Sequence, residues 1–197
     1  MRHCDYLIAA RWCVPIEPAG QVLENHAVAV VDGRIAAILP VAEARKAFQP
    51  SVSIERPGHV LIPGLVNAHC HAAMTLFRGL ADDLRLNDWL NEHIFPAEAR
   101  HVVPEMVYWC SKLAAAEMIL SGTTTVADGY FYEHRAARAF VDAGLRAVAA
   151  QGVIDFPAPG VPDPEKKIKH AAEFLAQWRQ HPLIRPAVFA HSPYTCS

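Results

Sequence analysis

Two histidines one residue apart, His69 and His71, stand in the run Asn67-Ala68-His69-Cys70-His71. Alternate side chains of an extended strand share a face, so His69 and His71 can point together while Cys70 points the other way. Two imidazoles so placed can hold one divalent metal. A catalytic zinc site commonly uses three protein ligands and keeps a position for water. The metal brings the pKa of that water down to near neutrality and makes it a nucleophile. Taken alone, the pair is equally compatible with two ordinary histidines at a strand end. Cys70 reads as packing and not as a ligand.

The elements around this pair set its position. Leu61-Ile62-Pro63-Gly64-Leu65-Val66 leads directly into it. Downstream, short apolar strand candidates at 64–67, 123–128, 146–153 and 185–190 alternate with helical stretches at 86–100, 105–121, 134–143 and 164–180. Ser121-Gly122 and Ala143-Gly144 are helix stops. Asp163-Pro164 is a helix start, with Asp as N-cap and Pro in the first turn. Strands alternating with helices point to a parallel sheet with right-handed crossovers. Four strands fit either a doubly wound sheet or half of a (β/α)8 barrel, which needs eight strands and about 250 residues. The first sixty residues read instead as a small β unit. Its strand candidates are 6–13, 27–31, 34–39, 52–54 and 59–62, with a helical turn or two at 41–48 closed by Pro50. Asp32-Gly33 favours a type I′ hairpin turn.

Composition narrows the function classes. With 52% hydrophobic and 19% charged residues, the chain is no disordered segment. A net charge of −2 without a basic stripe argues against nucleic acid or an anionic membrane surface as partner. No apolar run approaches the roughly 20 residues that span a bilayer, and no secretory signal is visible at the start. Five cysteines, odd in number and without a CxxC pair, read as reduced thiols of a cytoplasmic protein.

The run 63–100, PGLVNAHCHAAMTLFRGLADDLRLNDWLNEHIFPAEAR, resembles the amidohydrolase superfamily. Within it, the run is similar to the deaminases of 5′-methylthioadenosine and S-adenosylhomocysteine. The resemblance continues through Ser121-Gly122-Thr123-Thr124-Thr125 and ends at Ala190-His191-Ser192-Pro193-Tyr194-Thr195-Cys196-Ser197. It implies an α/β fold: the first half of a (β/α)8 barrel (residues 63–197, about four βα units) preceded by part of an accessory β domain (residues 1–62). All of the chain fits, but over only about the first half of such an enzyme.

The resemblance also implies roles. His69 and His71 match paired ligands of one divalent metal, with zinc the default and iron or manganese also suited to imidazole and carboxylate donors. Glu98 matches a carboxylate on the ribose hydroxyls, a task that suits a group able to accept from two neighbouring donors. Without the family, Glu98 would read as a helix-surface acid. His191 matches a histidine that reaches the substrate's base. Gln151 stands where some relatives carry an arginine for a substrate carboxylate, and a neutral amide cannot make that bidentate charged contact. Adenosine or methylthioadenosine is therefore expected to be preferred over S-adenosylhomocysteine.

Trp89 and Phe95 fit either an apolar pocket or helix core. Asp128 could face the site, Asp82 and Asp83 read as solvated, and Met74 and Leu76 read as packing. The family's third metal histidine, its proton-shuttling glutamate, a later histidine and a final aspartate match nothing here, so no catalytic proton carrier is assigned. His181 is no substitute. The expected activity of the complete enzyme is hydrolytic deamination of an adenine nucleoside to the inosine analogue and ammonia. The partners are a small-molecule nucleoside and further copies of the chain in a homo-oligomer. The competing readings are an inactive or partner-dependent fragment, and a related amidohydrolase acting on guanine or a triazine.

Overall fold

The structure, a computed structural model, describes residues 1–197. The chain divides into two compact units, Met1–Pro63 and Gly64–Ser197.

In the first unit, β1 (Arg2–Cys13), β2 (Leu23–Val31), β3 (Arg34–Pro40) and β4 (Phe48–Leu61) form one sheet in the order β3-β2-β1-β4, with helix α1 (Val41–Ala47) between β3 and β4. The β2–β3 hairpin turns at Asp32 and Gly33, whose φ values of 51° and 70° are the two positive angles a type I′ turn requires. Cys4, Leu7, Ala9, Ala27, Ala29, Ala44 and Phe48 make its core. One expectation needs correction. The stretches 52–54 and 59–62 are not two strands but parts of a single β4, and Pro50 does not close a helix but lies inside that strand. β4 is an edge strand, where a residue without an N–H is tolerated. Its second proline, Pro57, falls where the pairing slips, between Ala10↔Arg56 and Trp12↔Val60.

The second unit carries β5 (Leu65–Cys70), β6 (Thr123–Tyr130), β7 (Arg146–Val153) and β8 (Ile184–Ala190). All three pairings are parallel and the strand order is sequential, β5-β6-β7-β8. Sequential order decides between the two architectures, because a doubly wound sheet reverses its order at a switch point and a barrel does not. The sheet is that of the first four βα units of a (β/α)8 barrel. A 3₁₀ segment (Ala72–Phe77) follows β5. A continuous helical stretch comes next: α2 (Leu86–Asp88), a π-helical segment (Trp89–Ile94) and α3 (Phe95–His101). The Phe95 N–H reaches five residues back to Leu90 O, and Pro96 beside it has no N–H to offer.

α4 (Pro104–Leu120) and α5 (Glu133–Ala143) pack Val107, Ala114, Ala115, Ala136 and Phe140 against Val126 and Ala147 of the sheet. α5 ends at Gly144 (φ 76°), with Gly144 N–H on Val141 O and Leu145 N–H on Phe140 O, a Schellman closure. α6 (Lys167–Trp178) follows a 3₁₀ turn whose N-cap is Asp163, as expected, accepting from Glu165 N–H at 3.1 Å. No helix is long and apolar enough to cross a membrane.

Candidate active site

β5 runs one turn of pairing further than its apolar residues suggest, so His69 lies within it and His71 is the first residue beyond. The two imidazole centroids are 5.0 Å apart at 77°. His71 Nδ1 lies 2.6 Å from Gly129 O. A carbonyl can only accept, so Nδ1 is the donor, and in the neutral ring this leaves the Nε2 lone pair free. Metal-binding histidines commonly have one ring N–H held by a backbone carbonyl in this way. Cys70, between them, is half-buried, and burial followed by the Asp128 charge pushes its thiol up to about 12. Cys70 packs against the hydrophobic core of this unit. No group of three or more His, Cys, Asp or Glu side chains is arranged to hold a metal. The donors present are two imidazoles, chemically suited to zinc, iron or manganese.

The C-terminal end of β6 supports this region through three consecutive residues. Asp128 is buried, and its Oδ1 accepts from Ala72 N–H at 2.7 Å, which fixes the turn after His71. Gly129 gives its carbonyl to His71. Tyr130 donates its N–H to Glu133 Oε2 at 3.0 Å and its hydroxyl to Glu98 Oε1 at 2.7 Å. Burial, opposed only in part by their hydrogen bonds, pushes the Asp128 and Glu133 carboxyls up, and the Asp128 charge raises Glu133 further. Asp128 Oδ2 and Glu133 Oε1 have no partner. Asp128 thus sits inside β6 as an anchor and does not line the pocket.

A cavity of about 460 Å³ opens beside His71. Glu98, Gln151 and His191 line it together with His71, whereas His69 is outside the lining and meets it only through the ring of His71. Glu98 is 7% exposed, which removes the surface-acid alternative. Burial pushes its carboxyl up and the Tyr130 hydroxyl draws it back down. His191 follows β8. Its Nδ1 sits 2.9 Å from Thr195 Oγ1, and burial, then the charge of His71, holds its pKa below the ordinary histidine value. The Gln151 amide donates to Gly152 O at 3.2 Å.

Trp89, Phe95, Met74 and the loop residues Ile154 and Phe156 make the walls mainly apolar. Phe189 forms part of the lining and lies over two bare backbone positions. A Cβ on Gly129 would meet its ring at 2.7 Å, and one on Gly152 at 3.1 Å. The one lysine in the lining, Lys167, is paired with Asp155. Asp82 and Asp83 are solvent-exposed, as read from sequence.

Sequence reasoning missed Tyr130, Phe189 and the 154–161 wall. Tyr130 and Phe189 stand at or near strand C-terminal ends, the part of a barrel where site residues gather, and that position was the available signal.

The amidohydrolase family model matches residues 60–197, well over half of the chain. The chain belongs to the amidohydrolase family. This amidohydrolase is 46% identical over 195 residues to the 5-methylthioadenosine/S-adenosylhomocysteine deaminase of Syntrophobacter fumaroxidans, a match covering 99% of this chain and 44% of that protein. It is 44% identical to 5-methylthioadenosine/S-adenosylhomocysteine deaminase 1 of Syntrophus aciditrophicus, over 100% of this chain and 44% of the relative. Among solved structures it superposes on an adenosine deaminase from Xanthomonas campestris with bound zinc. There the TM-score is 0.96 at 46% identity, over 100% of this chain and 45% of that one. The amidohydrolase chain therefore spans less than half the length of the relatives it matches.

Proposed function

We propose that this amidohydrolase chain supplies paired metal ligands and most of the substrate pocket of a nucleoside deaminase. The reaction is hydrolytic: water's oxygen replaces the exocyclic amino group of an adenine nucleoside, giving the inosine analogue and ammonia. The substrate class is 5′-methylthioadenosine, S-adenosylhomocysteine or adenosine. The observation that carries this reading is Glu98, a buried carboxylate in a mainly apolar pocket shared with His71 and His191.

His69 and His71 would hold the divalent metal, zinc by preference, and when bound it supplies Lewis acidity and an activated water. The chain's own residues do the binding. Glu98 accepts from the ribose hydroxyls with the oxygen that Tyr130 leaves free. His191, with Nδ1 engaged by Thr195, turns its other nitrogen to the purine. Trp89, Phe95 and Phe156 exclude water and suit a thioether or methyl substituent. Gln151 is neutral and Lys167 is already paired, so neither of these two residues answers a substrate carboxylate. That favours methylthioadenosine or adenosine over S-adenosylhomocysteine. The five free thiols support a cytoplasmic setting, and the enzyme is read as a homo-oligomer.

The test is the ultraviolet change as methylthioadenosine becomes its inosine analogue, with zinc present. It is run on these 197 residues and on the protein at its full natural length. We expect no turnover from the 197 residues, since two imidazoles fall short of the usual three protein ligands, and turnover at full length. Full-length protein that deaminates guanine and leaves methylthioadenosine untouched would overturn the substrate class.

A further inference from the structure

We infer that Tyr130 is a positioning residue for the substrate's ribose: its hydroxyl fixes which oxygen of Glu98 is presented to the pocket. The inference rests on the reading of Glu98 given above. Tyr130 and Glu98 come from different βα units, one from the end of β6 and the other from α3. Both are buried and both line the cavity. Tyr130 donates to Glu98 Oε1 at 2.7 Å, and Oε2 receives no protein donor.

A glutamate has three rotatable side-chain bonds, and this hydrogen bond is the restraint that selects one orientation. The tyrosine is itself immobilised. Its N–H is held by Glu133 Oε2 at 3.0 Å, and Glu133 is fully buried in the first turn of α5. Its ring packs 4.9 Å from Phe131 and 6.3 Å from His71. The carboxylate is thus oriented from the strand that also gives its Gly129 carbonyl to His71. Ribose contact and imidazole orientation are set by adjacent residues of one strand end.

The experiment compares methylthioadenosine with its 2′,3′-dideoxy counterpart in the protein at its full natural length. The variants are Tyr130→Phe, Glu98→Gln and the double substitution. Tyr130→Phe keeps the ring, and a thermal midpoint near wild type confirms that the fold is retained. Tyr130→Phe is expected to lower kcat/KM for methylthioadenosine about tenfold, mostly through KM, which is the loss of one hydrogen bond to a charged group. The dideoxy substrate should change by less than about twofold, because the affected contact is absent from it. The double variant should be no worse than Glu98→Gln, because the two residues act through one contact.

Equal losses on both substrates would assign Tyr130 a merely structural role and overturn the inference. So would an unchanged Tyr130→Phe beside a Glu98→Gln that loses its preference for the ribose hydroxyls. A Glu98→Gln that is itself indifferent to those hydroxyls would overturn the parent reading of Glu98, and the inference with it.

Discussion

The two units bury different things. In Met1–Pro63 the core is aliphatic, thiol and one phenylalanine, and no polar or charged side chain is buried. Every buried polar side chain of the protein, Glu98, Ser111, Thr123, Asp128 and Glu133, belongs to Gly64–Ser197. Burying a carboxyl costs free energy unless hydrogen bonds offset it. Three such groups near one strand end are therefore unfavourable for a scaffold and intelligible for a site. The first unit holds together by apolar burial, whereas the second carries buried polar groups whose hydrogen bonds reach His71 and Glu98.

The largest effect that could break this contrast lies in the first unit. Phe48→Ala removes the main aromatic of that core and should cost about 3–5 kcal/mol in denaturant unfolding. KM for the nucleoside should be unchanged in the folded fraction. A shifted KM would give the first unit a part in substrate binding. In the second unit, His71→Ala should lower kcat/KM by more than about 100-fold, beyond the cost of losing a ligand's hydrogen-bond partner, and should reduce bound zinc measured after dialysis. A variant that retained both would remove His71 from the metal site. Next in size is Gln151→Arg. It should raise kcat/KM for S-adenosylhomocysteine relative to methylthioadenosine about tenfold, through a new charge-assisted pair. An unmoved ratio would end the argument from the neutral pocket.

The smallest effect is a change of slope. Burial pushes Asp128 and Glu133 up, so each keeps its proton in the folded state at pH values where the unfolded chain has released it. Their contribution to stability is fully present below about pH 4 and is lost as pH rises through the folded values. Glu133→Gln keeps the acceptor for Tyr130 N–H and removes one titration. Above about pH 4, stability should then fall less steeply with rising pH than in wild type. An unaltered slope in urea midpoints would show that the buried pair does not separate the units electrostatically.

How much was legible follows from which signals are local. His69 and His71 were visible because a spacing of two is a strand property and needs no partner. The hairpin at Asp32-Gly33, the N-cap at Asp163 and the four parallel strands were visible for the same reason. Pro50 misled because its tolerance depends on β4 being an edge, and strand order is not written in any short segment. The hydrogen-bond partner of buried Glu98 is Tyr130, 32 residues away, so only the resemblance pointed to it. The wall at 154–161 is irregular backbone, which carries no periodicity to read. Asp128 was half legible: its place on β6 was, but its bond to Ala72 was not.

The π-helical segment at Trp89–Ile94 makes residue count as consequential as residue identity. One residue of helix is about 100° of rotation. Because the wider turn takes up one extra residue, a homologue with one position fewer between Leu86 and Phe95 would keep the residue equivalent to Glu98 in place as plain α-helix, whereas one with the same number of positions wound as plain α-helix would swing it by about that angle. The latter could retain the glutamate in every alignment and still aim it away from the cavity. For this stretch, the winding of the helix matters as much as the alignment when site residues are transferred between sequences.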